Sequence, residues 1–286
     1  MFFNVNHTAG FTYIKPEQEV TMTAQNISFA VSTEELLVIL GYLKVDSMPG
    51  LDGSHLQGLD EGQMEFALGI AERALYARGF IIPDPQKKPV LAPTVFSMVG
   101  ACVMPEVTIV LSCNRPKQRQ EEYYYHISRG MAVMHYSLNE GIQQFVAVSE
   151  RATIAQSILS TLKLREKSAL KCPPIQIKAS LFGEMRKALN EDRFPDASRL
   201  LTESGVNSAS AQAMLETQQH PVANTTIGYL KGREGEVTAS GFTVIEGDNG
   251  LWIATSLENK LGLDADLLIS PASGGEVIER VKMLVK

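Results

Sequence analysis

One offset organises this chain. "VTIVLS" at 107–112, moved by 119 positions, falls on "TIGYLK" at 226–231. The same step carries "YYYHIS" at 123–128 onto "FTVIEG" at 242–247, and "MAVMHYSLNE" at 131–140 onto "GLWIATSLEN" at 250–259. "FVAVS" at 145–149 then matches "DLLIS" at 266–270 with a shift of 121. Identities are few (Leu111 with Leu230, Ser137 with Ser256, Leu138 with Leu257), so what repeats is the spacing of strand-like segments. A fixed period marks a repeated structural unit, which limits the chain to folds that set two like units together.

The pattern extends upstream. "ISFAVSTEELLVIL" at 27–40 resembles "IQIKASLFGEMRKAL" at 175–189 with a shift of 148, so Ser180 stands where Ser32 does. Each reads as a short alternating strand followed by an amphipathic helix, and Ser32 with Glu35 spells a capping box. The first half holds an extra helix at about 60–78. Asp60 can cap it, Gly79 can end it, and Met64, Ala67, Leu68, Ala71 and Leu75 form its apolar stripe. The second half has shorter helical runs at 195–204 and 208–218 in that slot. Both halves close with a helix, 151–164 and 274–285. Turns at Arg129-Gly130 and Gly247–Gly250 imply hairpins. The fold expected is α/β of the α+β type. It has a mixed, largely antiparallel sheet with helices on one face and an internal pseudo-twofold duplication. Residues 1–26 form an N-terminal arm. Residues 27–164 and 175–286 are the two half-repeats of one domain, and Pro173-Pro174 ends the helix before the boundary. Leu36, Leu40, Leu68, Leu75, Val107, Ile109, Leu111, Ile227, Trp252, Val277 and Val281 are expected in the core.

Composition narrows function. The formal charge is −6, with 26 basic against 32 acidic residues, and mean hydropathy is −0.02. This disfavours nucleic acid as a partner and fits a globular protein. The start has no basic-then-apolar leader, and the most apolar stretch, 93–113, is interrupted by Pro105 and Glu106. It reads as a buried helix followed by a buried strand. A cytoplasmic protein with no membrane contact is expected. Three cysteines, Cys102, Cys113 and Cys172, form neither an even set nor a C-x-x-C pair. His126 and His135 face each other across a hairpin without a third ligand at metal spacing, and read as half-buried strand histidines. Asp264 and Asp266 read as exposed acids. Gly228, Gly232 and Gly235 match no phosphate loop, and Ser54-His55 no nucleophile motif. No catalytic residue, metal or cofactor is therefore assigned.

The segment "NRPKQRQEEYYY" at 114–125 is more charged than a hairpin connection requires. Arg115, Lys117, Arg119, Glu121, Glu122 and Tyr123 are its candidate protein-contact residues, because arginine and tyrosine supply adaptable contact area. The strand "ISFAV", the helix "STEELLVILGYL", the helix "AERALYARGFI" and the ending "GLWIATSL…LLISPASGGEVIERVKMLV" resemble the EspG-type proteins of type VII secretion systems. The resemblance runs from Ile27 to Lys286. It implies a cytosolic, non-enzymatic chaperone that binds a helical protein client before export, with the loop Asn114–Glu122 helping to hold it. The alternative is a small-molecule-binding protein or enzyme with a pocket between the halves that uses His126 or His135.

Overall fold

The alternating segments pair into one antiparallel sheet. A computed structural model describes residues 27–285 apart from positions 52, 54, 55, 85, 87, 129, 149, 150, 166, 233–237 and 258–263. The 1–26 arm, Ser54-His55, Arg129 and Gly235 thus lie outside the described residues. The first half contributes β1 (Ser28–Ser32), β4 (Val107–Asn114), β5 (Glu121–Ser128), β6 (Met131–Asn139) and β7 (Ile142–Val148). The second contributes β8 (Ile175–Lys178), β9 (Pro221–Lys231), β10 (Thr238–Gly247), β11 (Leu251–Ser256) and β12 (Asp266–Ala272). Their order is β1-β7-β6-β5-β4-β9-β10-β11-β12-β8, which reads as the same series of counterparts from either end. A small separate ribbon joins β2 (Ile81–Ile82) to β3 (Val90–Leu91).

Register tests the offset strand by strand. Tyr124 pairs with His135, and 119 residues on, Thr243 pairs with Ala254. The middle hairpins therefore match at the expected step. The outer strands do not. The β1 N-cap residue Ser32, which ends β1 and N-caps the helix after it, corresponds to Lys178, a shift of 146 (178 − 32), and Ser180 lies inside the helix that Lys178 caps. His135 faces Phe145 while Ala254 faces Ile269, so β7 maps to β12 by 124 (269 − 145). At the centre, β4 and β9 pair with Leu111 opposite Ile227. The β4–β5 and β9–β10 registers make Ile227, not Leu230, the counterpart of Leu111, a shift of 116 (227 − 111). The symmetry axis thus passes between these two residues. A bulge between Ser137 and Asn139 contributes one of the displaced registers.

Helices cover both faces, not one. On one face lie α4 (Arg151–Leu162) and α8 (Gly274–Val285), packed over Ile109, Leu111, Tyr125, Ile227, Val244 and Ile253. On the other, α1 (Thr33–Leu43) and α3 (Pro93–Val103) cover Val31, Val133 and Phe145. There also α5 (Ala179–Asn190), α6 (Phe194–Glu203) and α7 (Ser208–Gln219) cover Ile177, Ile245, Trp252 and Ile269. The reason is in the strands. β6 and β11 carry only uncharged side chains on both sides, and so do Tyr123–Ser128 of β5 and Thr238–Ile245 of β10, as strands sandwiched between layers must.

α2 (Glu61–Ala77) packs on α1 rather than on the sheet. Its expected stripe is consequently only part core: Ala71 and Leu75 are buried, while Met64 and Leu68 stay half-exposed. Val107, at the start of β4, is also only half-buried, and the other expected core residues are buried. The linker does not act through its prolines. α4 ends at Leu162, Lys163 takes a left-handed φ of 50°, and Pro173-Pro174 instead precede β8. Both sheet edges are blunted. Arg78 donates to the Ala30 carbonyl on β1 and pairs with Glu35, while β8 is short and led in by the prolines.

Candidate functional site

Among the described residues, helices cover the centre of the sheet on one side only. Along β4, Ile109, Leu111 and Cys113 point into the α4–α8 layer and are buried. Their alternates Val110, Ser112 and Asn114 point the other way and remain at least partly exposed. β9 behaves alike: Ile227 is buried, while Thr226, Gly228 and Leu230 face the open side. On β10, Gly241 and Thr243 continue that surface, opposite Gly228 and Thr226. None of these residues is ionisable. Thr226 and Thr243 share a hydrogen bond of 3.0 Å between their hydroxyls, and Ser112 accepts one of 2.9 Å from Gln120 Nε2.

Helices wall this floor. α3 lies over β5, β6 and β7; α7 lies against β10, and its Thr217 accepts the Trp252 indole N–H of β11. β4 and β9 thus run between the strands that α3 covers and the strand that α7 covers. Near α3 the wall includes the loop at Gly50, where a Cβ would come within 2.6 Å of the Tyr124 ring. Tyr124 donates to Glu122 Oε2 at 2.6 Å; burial and this carboxylate both push its phenol pKa up, so it stays protonated.

The six residues expected to bind a partner do not share one surface. The connection itself is only 115–120. Arg115 turns toward α4: it donates to Glu121 Oε2 at 2.9 Å and to the Thr161 carbonyl at 2.8 Å, with its side chain 15% exposed. Tyr123 lies on that same face, its ring 5.3 Å from Tyr136. Lys117 and Arg119 are exposed on the loop, and Glu122 stands at the rim of the open floor. The floor residues themselves went unassigned in the sequence. Their only signal there is the alternation of "VTIVLSCN" and the isolated glycines of β9 and β10.

The histidines are fully buried rather than half-buried. His126 and His135 stack 6.0 Å apart beneath Tyr124, with His135 Nε2 2.9 Å from Gln143 Oε1 and His126 Nδ1 3.3 Å from Thr108 Oγ1. Burial, with the neighbouring His135, lowers the His126 pKa to about 3; burial lowers that of His135 to about 4. Among the described residues no group of three or more His, Cys, Asp or Glu is placed to hold a metal. Asp266 is ion-paired with Lys178 at 2.8 Å. Cys102 and Cys113 are buried, which raises both thiol pKa values and disfavours the thiolate. Among the described residues no helix is long and apolar enough to cross a membrane.

No family model matches the chain, and no curated protein does. A solved structure does: the type VII secretion system chaperone EspG5 of Mycobacterium tuberculosis, in complex with the PE25-PPE41 dimer. The TM-score is 0.61 at 14% identity, over 91% of this chain and 94% of that one. At that identity the likeness is one of fold.

Proposed function

We propose that this chain is a cytosolic, non-enzymatic chaperone or adaptor of the EspG type, which holds a helical protein client on the open floor of its sheet. The observation that carries this reading is the uncharged floor of β4, β9 and β10, left partly exposed between the strands that α3 covers and the strand that α7 covers. The shared fold with a chaperone bound to a protein dimer supports it. The 115–120 loop and the start of β5 then act at the rim, through Lys117, Arg119 and Glu122, and export of the client follows the same likeness. Residues 27–164 and 175–286 serve as two half-repeats of a single domain, because the floor is made by both. The alternative, a small-molecule site worked by His126 or His135, finds both imidazoles closed off at 0% exposure.

The test is a photo-crosslinking amino acid at Thr226, an exposed position on the floor, introduced in cells of the source. Sequencing the crosslinked peptide is expected to give a segment with apolar residues at i, i+3, i+4 and i+7. Crosslinks confined to non-helical segments, or none at all, would sink the reading.

A further inference from the structure

The outer edge of β1 opens on a cleft. In the β1–β7 ladder Ile27 bonds Ala147 and Thr33 bonds Gly141, so every second residue from Ile27 turns its backbone toward β7. The backbone groups of Ser28, Ala30 and Ser32 therefore point out from the sheet. Two of them are met by side chains: Arg78 donates to the Ala30 carbonyl, and Glu35 accepts the Ser32 N–H. The Ser28 and Ala30 N–H groups and the Ser28 carbonyl face the same way. Between this edge and α2 lies a space of about 430 Å³, walled on the helix side by Ala67, Ile70 and Ala74. Ile70 is 46% exposed, and Phe66, one turn earlier on the same helix face, is 69% exposed. The charged groups Glu35 and Arg78 at its border pair with each other at 2.8 Å. A small molecule needs converging polar groups to orient it. An extended backbone needs a strand edge to pair with and an apolar wall for its alternate side chains, and this cleft has both.

The chain carries an occupant of that kind. Residues 1–26 lead straight into β1, and within them Phe11-Thr12-Tyr13-Ile14-Lys15, set between Gly10 and Pro16, is a run of strand formers bounded by turn residues. The stretch from Pro16 to Ile27 can span up to about 40 Å. That is ample to reverse direction and lay the run along the five residues of β1. We propose that Phe11–Lys15 pairs antiparallel with the outer edge of β1 as a further strand of the sheet, with Phe11 and Tyr13 set in the cleft against Ala67 and Ile70. An edge with outward-pointing backbone groups invites pairing with other chains, and the arm closes it. The inference concerns the edge of the sheet, four strands from β4, and does not rest on the reading of the floor.

The test places the photo-crosslinker p-benzoylphenylalanine at Ile70 of the full chain and irradiates an equimolar mixture of unlabelled and nitrogen-15-labelled protein. The crosslinked peptides are expected to join position 70 to residues 11–15 of the same molecule, with one isotope in both. Peptides of mixed isotope would give the cleft to a second copy, and crosslinks that miss 11–15, or none at all, would leave it without the arm; each overturns the proposal. Amide hydrogen exchange reads the backbone pairing. The Ala30 N–H, which points away from β7, is expected to exchange at least about tenfold faster in the Phe11→Asp/Tyr13→Asp double variant than in the parent, while the Val31 N–H, which points toward β7, keeps its rate. Equal Ala30 rates in the two proteins overturn the pairing. Faster exchange at Ala30 and Val31 alike overturns it too, since the arm would then stabilise the fold at large and not this edge.

Discussion

Arg115 belongs to a run of charges that alternation assigns to solvent, yet its guanidinium ties the end of β4 to Glu121 and to the last turn of α4. A cation on helix-terminal carbonyls is favourable for the helix dipole as well. Arg115→Ala is therefore expected to cost about 1–2 kcal/mol, measured by urea denaturation, while Lys117→Ala and Arg119→Ala each shift stability by less than about 0.5 kcal/mol. Unchanged unfolding of Arg115→Ala would show the tether to be idle. The buried imidazoles give a second residue-scale outcome. In the fold they stay neutral to about pH 4, whereas in the unfolded chain they take protons from the usual value of 6.5 downward. Below pH 6.5 the unfolded state binds protons that the native state does not. Their contribution is thus complete above 6.5 and falls as pH drops, by about 1.4 kcal/mol per unit for each imidazole. Denaturation at pH 7.5, 6 and 5, with the imidazole nitrogens followed by NMR, checks both halves of that statement. Residue type was readable in both cases. The direction each side chain takes was not, because it depends on a partner such as Thr161 or Gln143 on another element.

Elements show the same division between local and distant causes. Capping is local, and the Ser32–Glu35 box is present as its spelling implies, as is the Asp60–Gln63 box on α2. Gly79 takes a positive φ of 70° just past α2, as its position suggested. The depth of a stripe is not local. α2 shows a regular three-and-four pattern, but it lies on α1 in an outer layer, so Leu68 stays half-exposed while Leu75 is buried. Leu75→Ala is expected to cost about 2–5 kcal/mol, the usual range for a buried leucine, and Leu68→Ala clearly less. Equal losses in thermal or denaturant unfolding would mean that α2 packs more deeply than this arrangement allows. Periodicity reports that one face is apolar, not how much protein stands over it. The same limit hid the open floor, since Val110 and Gly228 stay partly exposed where no described helix stands over them.

At the scale of the whole molecule, the repeat was visible through its middle hairpins, where 119 holds in register, and blurred at the central strand pair, where counterparts sit 116 residues apart, and in the outer strands, where they sit 124 and 146 apart. Insertions collect in turns and at strand ends, where a changed register leaves the sheet intact. What joins the halves is the β4–β9 ladder and the contact of α4 with α8 beneath it. Leu111 and Ile227 meet on the axis itself, both buried in the layer the two helices share. Neither half can close that layer alone, so the two are expected to unfold as one cooperative unit. Trp252, the single tryptophan of the chain, reports on the second half from a fully buried site. Its native fluorescence should be blue-shifted. Leu111→Ala removes a side chain of the first half and is expected to cost about 2–5 kcal/mol. If the halves are one unit, the Trp252 transition moves to lower denaturant by that full amount, together with the His126 imidazole signal from the first half. A Trp252 transition that keeps its midpoint while the His126 signal shifts would separate them into two independently folding domains, and the floor between α3 and α7 would then be a junction whose width varies.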